Sequence, residues 1–111
     1  MKIERRTHGA VLIIQPEGPI VGEDAGALHA SLMSALRAQA GRVVLDASAV
    51  PYIDSNGLEA LVEAGERMAG AGRCLKMCGV NETIREVFEL TEVAGLFEHY
   101  ENAAAAARSF L

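Results

Sequence analysis

The sequence predicts a single α/β domain, spanning residues 1–111, in which about four helices cover a mixed sheet of four to five strands with a parallel centre. Short aliphatic runs such as Val43–Leu45 have the composition of strands that are covered on both faces. These runs alternate with stretches of helical periodicity, and parallel strands need such crossover helices. The length and the 50% apolar content suit one domain with one real core.

Turn and capping residues divide the chain into a β-β-α-β-α-β-α-β-α order. Gly9 favours an antiparallel hairpin between the first two strands, and Pro16 and Gly18 are expected to end the second strand. Asp24, Asn81 and Asn102 are suitable N-caps for three of the helices. The predicted strands span 2–7, 10–14, 43–47, 74–78 and 96–100, and the predicted helices span 25–40, 57–70, 82–90 and 103–110.

The stretch from residue 43 to residue 58 predicts a buried strand, a sharp turn and the opening of a helix. Asp54, Ser55 and Asn56 are all good N-cap residues, and they come just before the helical periodicity begins at Leu58. The polar segment 54–57 should therefore lie at the surface, at the sheet edge where ligands of such folds bind. The expected apolar stripe of this helix is Leu58, Leu61, Val62, Gly65, Met68 and Ala69.

Composition excludes several classes of function. The formal net charge of −5 and the absence of a basic stripe argue against nucleic-acid binding. No apolar run approaches the roughly 18 residues that a membrane-spanning helix needs, and the first residues lack an apolar signal region. We therefore expect a cytoplasmic protein without membrane insertion.

The two cysteines, Cys74 and Cys78, are predicted to stay reduced and to bind no metal. On one strand their Cα atoms would lie roughly 13 Å apart, whereas a disulfide tolerates at most about 7 Å. No second Cys/His pair lies nearby in the sequence to complete a four-ligand metal site.

No constellation in the sequence supports catalysis, and we expect neither enzymatic activity nor a cofactor. Ser55 could suggest a nucleophile elbow, but Ile53 stands where that motif needs its first glycine. Asp46 and Asp54 could pair as metal ligands or as acid and base. The alternative, which we favour, is that Asp46 bonds turn amides at the end of its strand while Asp54 begins a helix.

Three segments of the sequence resemble the STAS domain, the module shared by anti-sigma factor antagonists and sulphate transporter tails. They are residues 44–58 (VLDASAVPYIDSNGL), 71–77 (AGRCLKM) and 87–97 (VFELTEVAGLF). The resemblance covers nearly the whole chain, and it implies the STAS fold. The chain length resembles that of the free-standing bacterial antagonists.

That resemblance implies regulation of transcription by binding. Such antagonists bind an anti-sigma factor, a serine-protein kinase of the histidine-kinase-like ATPase type, through the strand-to-helix junction. The corresponding partner-binding residues here are Tyr52, Asp54, Ser55, Asn56, Gly57 and Leu58. For Leu58, its place on the apolar stripe favours the alternative that the side chain lies wholly in the core.

In the family, phosphorylation of a hydroxyl residue directly before the motif glycine switches binding off, and a phosphatase restores it. Asn56 occupies that position here and has no hydroxyl, which leaves Ser55 as the alternative phosphosite. A second function stays open at this stage, namely a STAS scaffold in a larger assembly such as a stressosome-like complex or a lipid transporter's cytoplasmic subunit.

Overall fold

The computed structural model describes all of residues 1–111 and confirms the predicted fold class, with five strands and four α-helices. The single sheet has the order β1-β2-β3-β4-β5, in which β1 is antiparallel to β2 and all other neighbours are parallel. The elements are β1 (Lys2–His8), β2 (Val11–Glu17), α1 (Glu23–Ala38), β3 (Val43–Asp46), α2 (Ser55–Gly70), β4 (Leu75–Cys78), α3 (Glu82–Leu90), a 3₁₀ turn (Ala94–Leu96), β5 (Phe97–Tyr100) and α4 (Ala103–Arg108).

The two faces of the sheet are covered to different depths. On one face, α1, α2 and α3 enclose the main core, a cluster of 21 buried residues that includes Leu45 and Phe88. On the other face, the short helix α4 covers a cluster of six buried residues that includes Val44 and Cys78. Because β3 lies at the centre of the sheet, all four of its residues are buried, as its aliphatic composition predicted.

Strand β2 continues through Pro16 to Glu17 and ends directly before Gly18, so the part of the prediction that concerns Pro16 was wrong. The amides of Leu12 and Gly18 donate toward the β3 side, to Arg42 O at 3.0 Å and Ala49 O at 2.9 Å. Amides alternate sides along a strand, so the N–H that proline lacks at position 16 would also have faced β3. This position lies beyond the last parallel pair of β2 with β3. On the opposite side Pro16 still pairs with Ile3 of β1, and that ladder, which does not need the missing N–H, carries the strand on to Glu17.

Helix α1 begins and ends two residues before its predicted bounds. Gly22, not Asp24, occupies the N-cap position, with φ of 54°, and no side chain caps this helix. Glycine reaches such a positive φ without steric cost, which a pattern based on side-chain caps does not detect. At the other end the helix stops at Ala38 with Gln39 as its C-cap, and Ala40, one residue before Gly41, is the first residue with a positive φ.

The remaining differences are small shifts of element ends. Helix α4 stops at Arg108 rather than Phe110, and β5 begins at Phe97 because residues 94–96 form the 3₁₀ turn. Asn81 and Asn102 cap α3 and α4 as predicted, accepting from the amides of Ile84 and Ala105. None of the helices has the length and apolarity that crossing a membrane requires.

Candidate functional site

Helix α2 begins at Ser55, two residues before its predicted start at 57, and Asp54, one of the predicted cap residues, is its N-cap. The Asp54 carboxylate accepts two backbone hydrogen bonds, from the Gly57 amide at 2.9 Å and from the Gly22 amide at 3.0 Å. These two bonds, the first above all, hold the pKa of Asp54 below its ordinary value. One ionised side chain thus joins the first turn of α2 to the start of α1.

Gly57 is buried because the segment before α1 passes directly over it. A methyl group in place of its hydrogen would lie 2.2 Å from the Ile20 carbonyl oxygen, a backbone atom that cannot move aside easily. Ile20 forms an isolated parallel bridge with Ile53, in which the Ile20 amide donates to Tyr52 O at 3.2 Å and the Asp54 amide donates to Ile20 O at 3.3 Å. The segments that lead into α1 and α2 therefore form one hydrogen-bonded unit.

The side chains around this unit differ in exposure. Ser55 and Asn56 are exposed, and the Tyr52 ring is 54% exposed, which is unusual for a large aromatic side chain. Leu58 is only partly buried and packs against the main core, so the alternative that it lies wholly in the core is wrong. The buried face of α2 is centred instead on Ala60, Leu61, Ala64, Gly65 and Met68.

A shallow groove of about 320 Å³ runs between the first turns of α1 and α2, and Asn56 lines it. Its other polar walls are Glu23, Glu59, Glu63 and His29. The His29 Nε2 atom lies 2.7 Å from Glu63 Oε2, which connects the two helices across the groove. The surface next to Asn56 is therefore acidic, and it suits a partner that presents cationic or hydrogen-bond-donating groups.

Asn81 supports the Tyr52 side of the junction, a role that its sequence position alone did not indicate. Its Oδ1 atom accepts from the Ile84 amide at 2.9 Å and caps α3, while its Nδ2 atom donates to Pro51 O at 2.9 Å. Both ends of the side-chain amide are thus used. The loop that carries Tyr52 is held against α3 as well as against the segment before α1.

Asp46 and Asp54 bond to different groups, and the structure does not bring them together as an acid pair. Asp46 is 6% exposed and lies toward the α4 side, where it accepts from the Ser48 amide at 3.0 Å and from the Arg6 guanidinium at 3.3 Å. Burial alone would raise the pKa of Asp46, but the hydrogen bonds from Ser48 and Arg6 hold it below its ordinary value. The role assigned to Asp46, bonding a turn amide at a strand end, is confirmed; the Arg6 contact was not anticipated.

Both cysteines are free, with Cys74 half-buried and Cys78 buried beneath α4. Helix α4 covers the side of β4 that carries Cys78, through Ala106 and Ala107. Burial, together with the nearby Asp46 carboxylate, raises the pKa of the Cys78 thiol to about 12, so it stays protonated at neutral pH. The structure contains no group of three or more His, Cys, Asp or Glu side chains arranged to hold a metal ion.

The mixed sheet and the capped strand-to-helix junction together define a small α/β module. The family model of the STAS domain matches residues 2–106, and the chain belongs to that family. It is 28% identical over 110 residues to BtrV of Bordetella bronchiseptica, which is described as an anti-sigma factor antagonist; the match covers 99% of this chain and 95% of BtrV.

Two solved structures show the same fold at low sequence identity. One is of a protein from Thermotoga maritima described as an anti-sigma factor antagonist, with 20% identity, a TM-score of 0.83, and 96% of this chain and 92% of that one covered. The other is the anti-sigma factor antagonist SpoIIAA in its unphosphorylated form, with 12% identity, a TM-score of 0.72, and coverage of 98% and 96%. SpoIIAA of Bacillus has also been solved in a phosphorylated form. The chain therefore has the fold of an anti-sigma factor antagonist.

Proposed function

We propose that this protein is a non-catalytic antagonist that acts in the bacterial cytoplasm. It binds an anti-sigma factor, a serine-protein kinase of the histidine-kinase-like ATPase type, and so influences sigma-factor-dependent transcription. The contact surface is formed by Tyr52, Asp54, Ser55, Asn56 and the partly buried Leu58. Gly57, which the sequence placed in the same surface, is buried and holds the backbone beneath it. The observation that carries the proposal is an exposed polar helix start next to an exposed tyrosine, on a backbone held in place by Asp54, Gly57 and Asn81.

The rigid backbone of this surface favours binding. Asp54 and the Ile20–Ile53 bridge hold the junction through hydrogen bonds, so a partner does not have to order a flexible loop. A surface that is already ordered avoids much of the entropic cost of association. The exposed Tyr52 ring adds a large rigid contact area of the type that is enriched at binding hot spots.

We further propose that phosphorylation at the position before the motif glycine does not switch this protein. Asn56 carries an amide, which cannot accept a phosphoryl group as a hydroxyl does. A phosphate there would add about −1.5 to −2 charges, beside a groove that already contains Glu23, Glu59 and Glu63. Asn56 keeps the site neutral and therefore binding-competent, so regulation falls to protein abundance or to another subunit, and a phosphatase has no substrate at this position.

The test uses the purified ATPase-type kinases of the source bacterium, each assayed for ATP-dependent labelling and for affinity. We expect label on Asn56→Ser but on neither wild type nor Ser55→Ala. Asn56→Asp should weaken binding by at least about tenfold, which corresponds to about 1.4 kcal/mol. Label on wild type that disappears in Ser55→Ala would contradict the proposal and make Ser55 the switch.

A matched pair of variants tests the contact surface in the same assay. Tyr52→Ala should weaken kinase binding, whereas Leu90→Ala should not. The Leu90 side chain is even more exposed, at 76%, but it lies at the far end of α3. Equal affinity of the Tyr52→Ala variant and wild type would place the contact elsewhere on the protein.

A further inference from the structure

Asn56 is the only one of the three asparagines that glycine follows; Asn81 and Asn102 precede Glu82 and Ala103. An Asn-Gly pair has an intrinsic reactivity, because the glycine nitrogen can attack the asparagine side-chain carbonyl with no side chain in the way. Asn56 is exposed, so water can reach its side chain. Gly57, in contrast, is buried, and its amide donates to Asp54.

We propose that Asn56 is a site of spontaneous, irreversible conversion to aspartate or isoaspartate, and that the hydrogen bond from Gly57 to Asp54 sets its rate. In the first step the Gly57 nitrogen loses its proton and bonds to Asn56 Cγ, the bond from Cγ to Nδ2 breaks, and ammonia leaves. The product is a cyclic succinimide. Water then adds to either ring carbonyl and opens the ring to a carboxylate, so the net change is amide plus water to carboxylic acid plus ammonia.

Asp54 opposes the first step in two ways. Its Oδ1 atom accepts a hydrogen bond from the Gly57 amide, with 2.9 Å between nitrogen and oxygen. The nitrogen that would attack is therefore engaged in a charge-assisted hydrogen bond. Removing that proton would also place an amide anion beside a carboxylate. The carboxylate cannot turn away easily, because Gly22 holds its other oxygen at 3.0 Å.

The packing of Gly57 adds a geometric barrier. The Asn56 side chain, like others on a helix, leans toward the helix N-terminus, away from the peptide nitrogen that follows it. Bringing the two together requires the peptide before Gly57 to rotate, but Ile20 O and Ile53 lie directly against this glycine. Reaction therefore has to pass through an opened first turn, in which the Asp54 cap is broken.

The conversion would have a defined effect on the surface. It adds one negative charge to a groove that already contains Glu23, Glu59 and Glu63. If the proposed function holds, converted molecules lose affinity for their partner. The fraction of molecules that can bind the partner then falls as the protein ages. The chemical proposal itself does not depend on any partner and can be tested on the isolated chain.

The experiment incubates the purified full chain in mildly alkaline buffer and follows residues 54–58 by peptide mass spectrometry, with isoaspartate measured by enzymatic methylation. We expect slow conversion at Asn56 in wild type. Loss of a typical N-cap raises the population of molecules with an opened first turn about fivefold. Asp54→Ala should therefore react about fivefold faster than wild type. Asp54→Ser keeps one capping oxygen but loses the charge and the bond from Gly22, so its rate should lie between those of wild type and Asp54→Ala.

The other two asparagines serve as internal references in every sample, since both lack a following glycine and should stay unchanged. Circular dichroism establishes that each variant is folded, and if Asp54→Ala is not, the wild-type chain in denaturant supplies the uncapped rate. Equal rates for wild type and the uncapped chain would overturn the proposal. A folded Asp54→Ser variant that reacts as fast as the uncapped chain would overturn it as well.

Discussion

The loop between β3 and α2 begins after one aspartate and ends at another, and the two have different roles. Asp46 is buried and is held by a turn amide and by Arg6 from the edge strand β1. Asp54 lies at the surface and is held by the amides of Gly22 and Gly57. Both carboxylates have lowered pKa values. Asp46 thus helps to stabilise the sheet, whereas Asp54 shapes an exposed surface that is free to contact a partner.

The comparison shows how a small domain presents a polar site without giving up rigidity. At the Asp46 end, order comes from burial beneath α4 and from the strand pairing on both sides of β3. At the Asp54 end, order comes from backbone contacts with the segment before α1, which leaves the side chains of Ser55 and Asn56 in solvent. We therefore expect the Asp54 end to depend on close backbone packing and the Asp46 end on charge.

The largest effect should come from breaking the backbone packing at the Asp54 end. In Gly57→Ala the new methyl group would meet the Ile20 carbonyl oxygen at 2.2 Å, so the two segments must separate. We expect the free energy of unfolding to fall by about 3 kcal/mol, at the upper end of overpacking costs. Chemical denaturation with urea provides the measurement.

Gly26→Ala is the matched control, because Gly26 is also helical and no heavy atom lies within 4 Å of its added methyl group. This variant should be neutral or more stable than wild type by about 0.5–1 kcal/mol, since alanine is the better helix former. If both substitutions destabilise the protein equally, close packing over Gly57 is not what holds the junction.

A smaller loss is expected from the charge at the Asp46 end. Asp46→Ala leaves the Ser48 amide and one Arg6 donor without their acceptor and should lower the free energy of unfolding by about 2 kcal/mol. Arg6→Ala should cost less than about 1 kcal/mol, because the Arg6 side chain is 49% exposed and water can replace it. An equal loss in both variants would show that the ion pair, rather than the Ser48 bond, is the main contribution.

Most of the fold could be predicted because its signals are local. Aliphatic runs such as Val43–Leu45 and caps such as Asn81 and Asn102 depend on neighbours in the sequence, and the structure confirms them. The errors arose where a residue's role depends on a distant segment. Pro16 was expected to help end β2, and only the pairing of β2 with β1, which runs as far as Glu17, shows why the strand passes it.

The site was predictable in part, for the same physical reason. Asp54 was recognised as a cap candidate, because its bond to Gly57 spans three residues. Its second bond, to Gly22, spans 32 residues, and the bond from Asn81 to Pro51 spans 30, so neither leaves a trace in the local pattern. The burial of Gly57 under Ile20 is equally non-local. These contacts determine the rigidity of the site, and only the folded chain reveals them.

The smallest expected effect is the pH dependence of the free energy of unfolding that Asp46 and Asp54 cause. The pKa of Asp46 is lowered from 3.8 in the folded chain, so the unfolded chain binds its proton first as the pH falls. The stability that ionised Asp46 provides is therefore fully present above that ordinary value and is lost as the pH falls through the lowered pKa. Between about pH 5 and pH 2, the free energy of unfolding of wild type should fall more steeply than that of Asp46→Asn.

Asp54→Asn should flatten the same curve, because the pKa of Asp54 is lowered as well. The double variant should be flatter than either single variant, since the two carboxylates bond to different donors and titrate independently. Urea denaturation at a series of pH values measures all four slopes, and above about pH 5 the four curves should run parallel. A wild-type slope equal to that of the double variant would show that neither carboxylate is held ionised by the folded chain, which would remove the electrostatic similarity between the two ends of the loop.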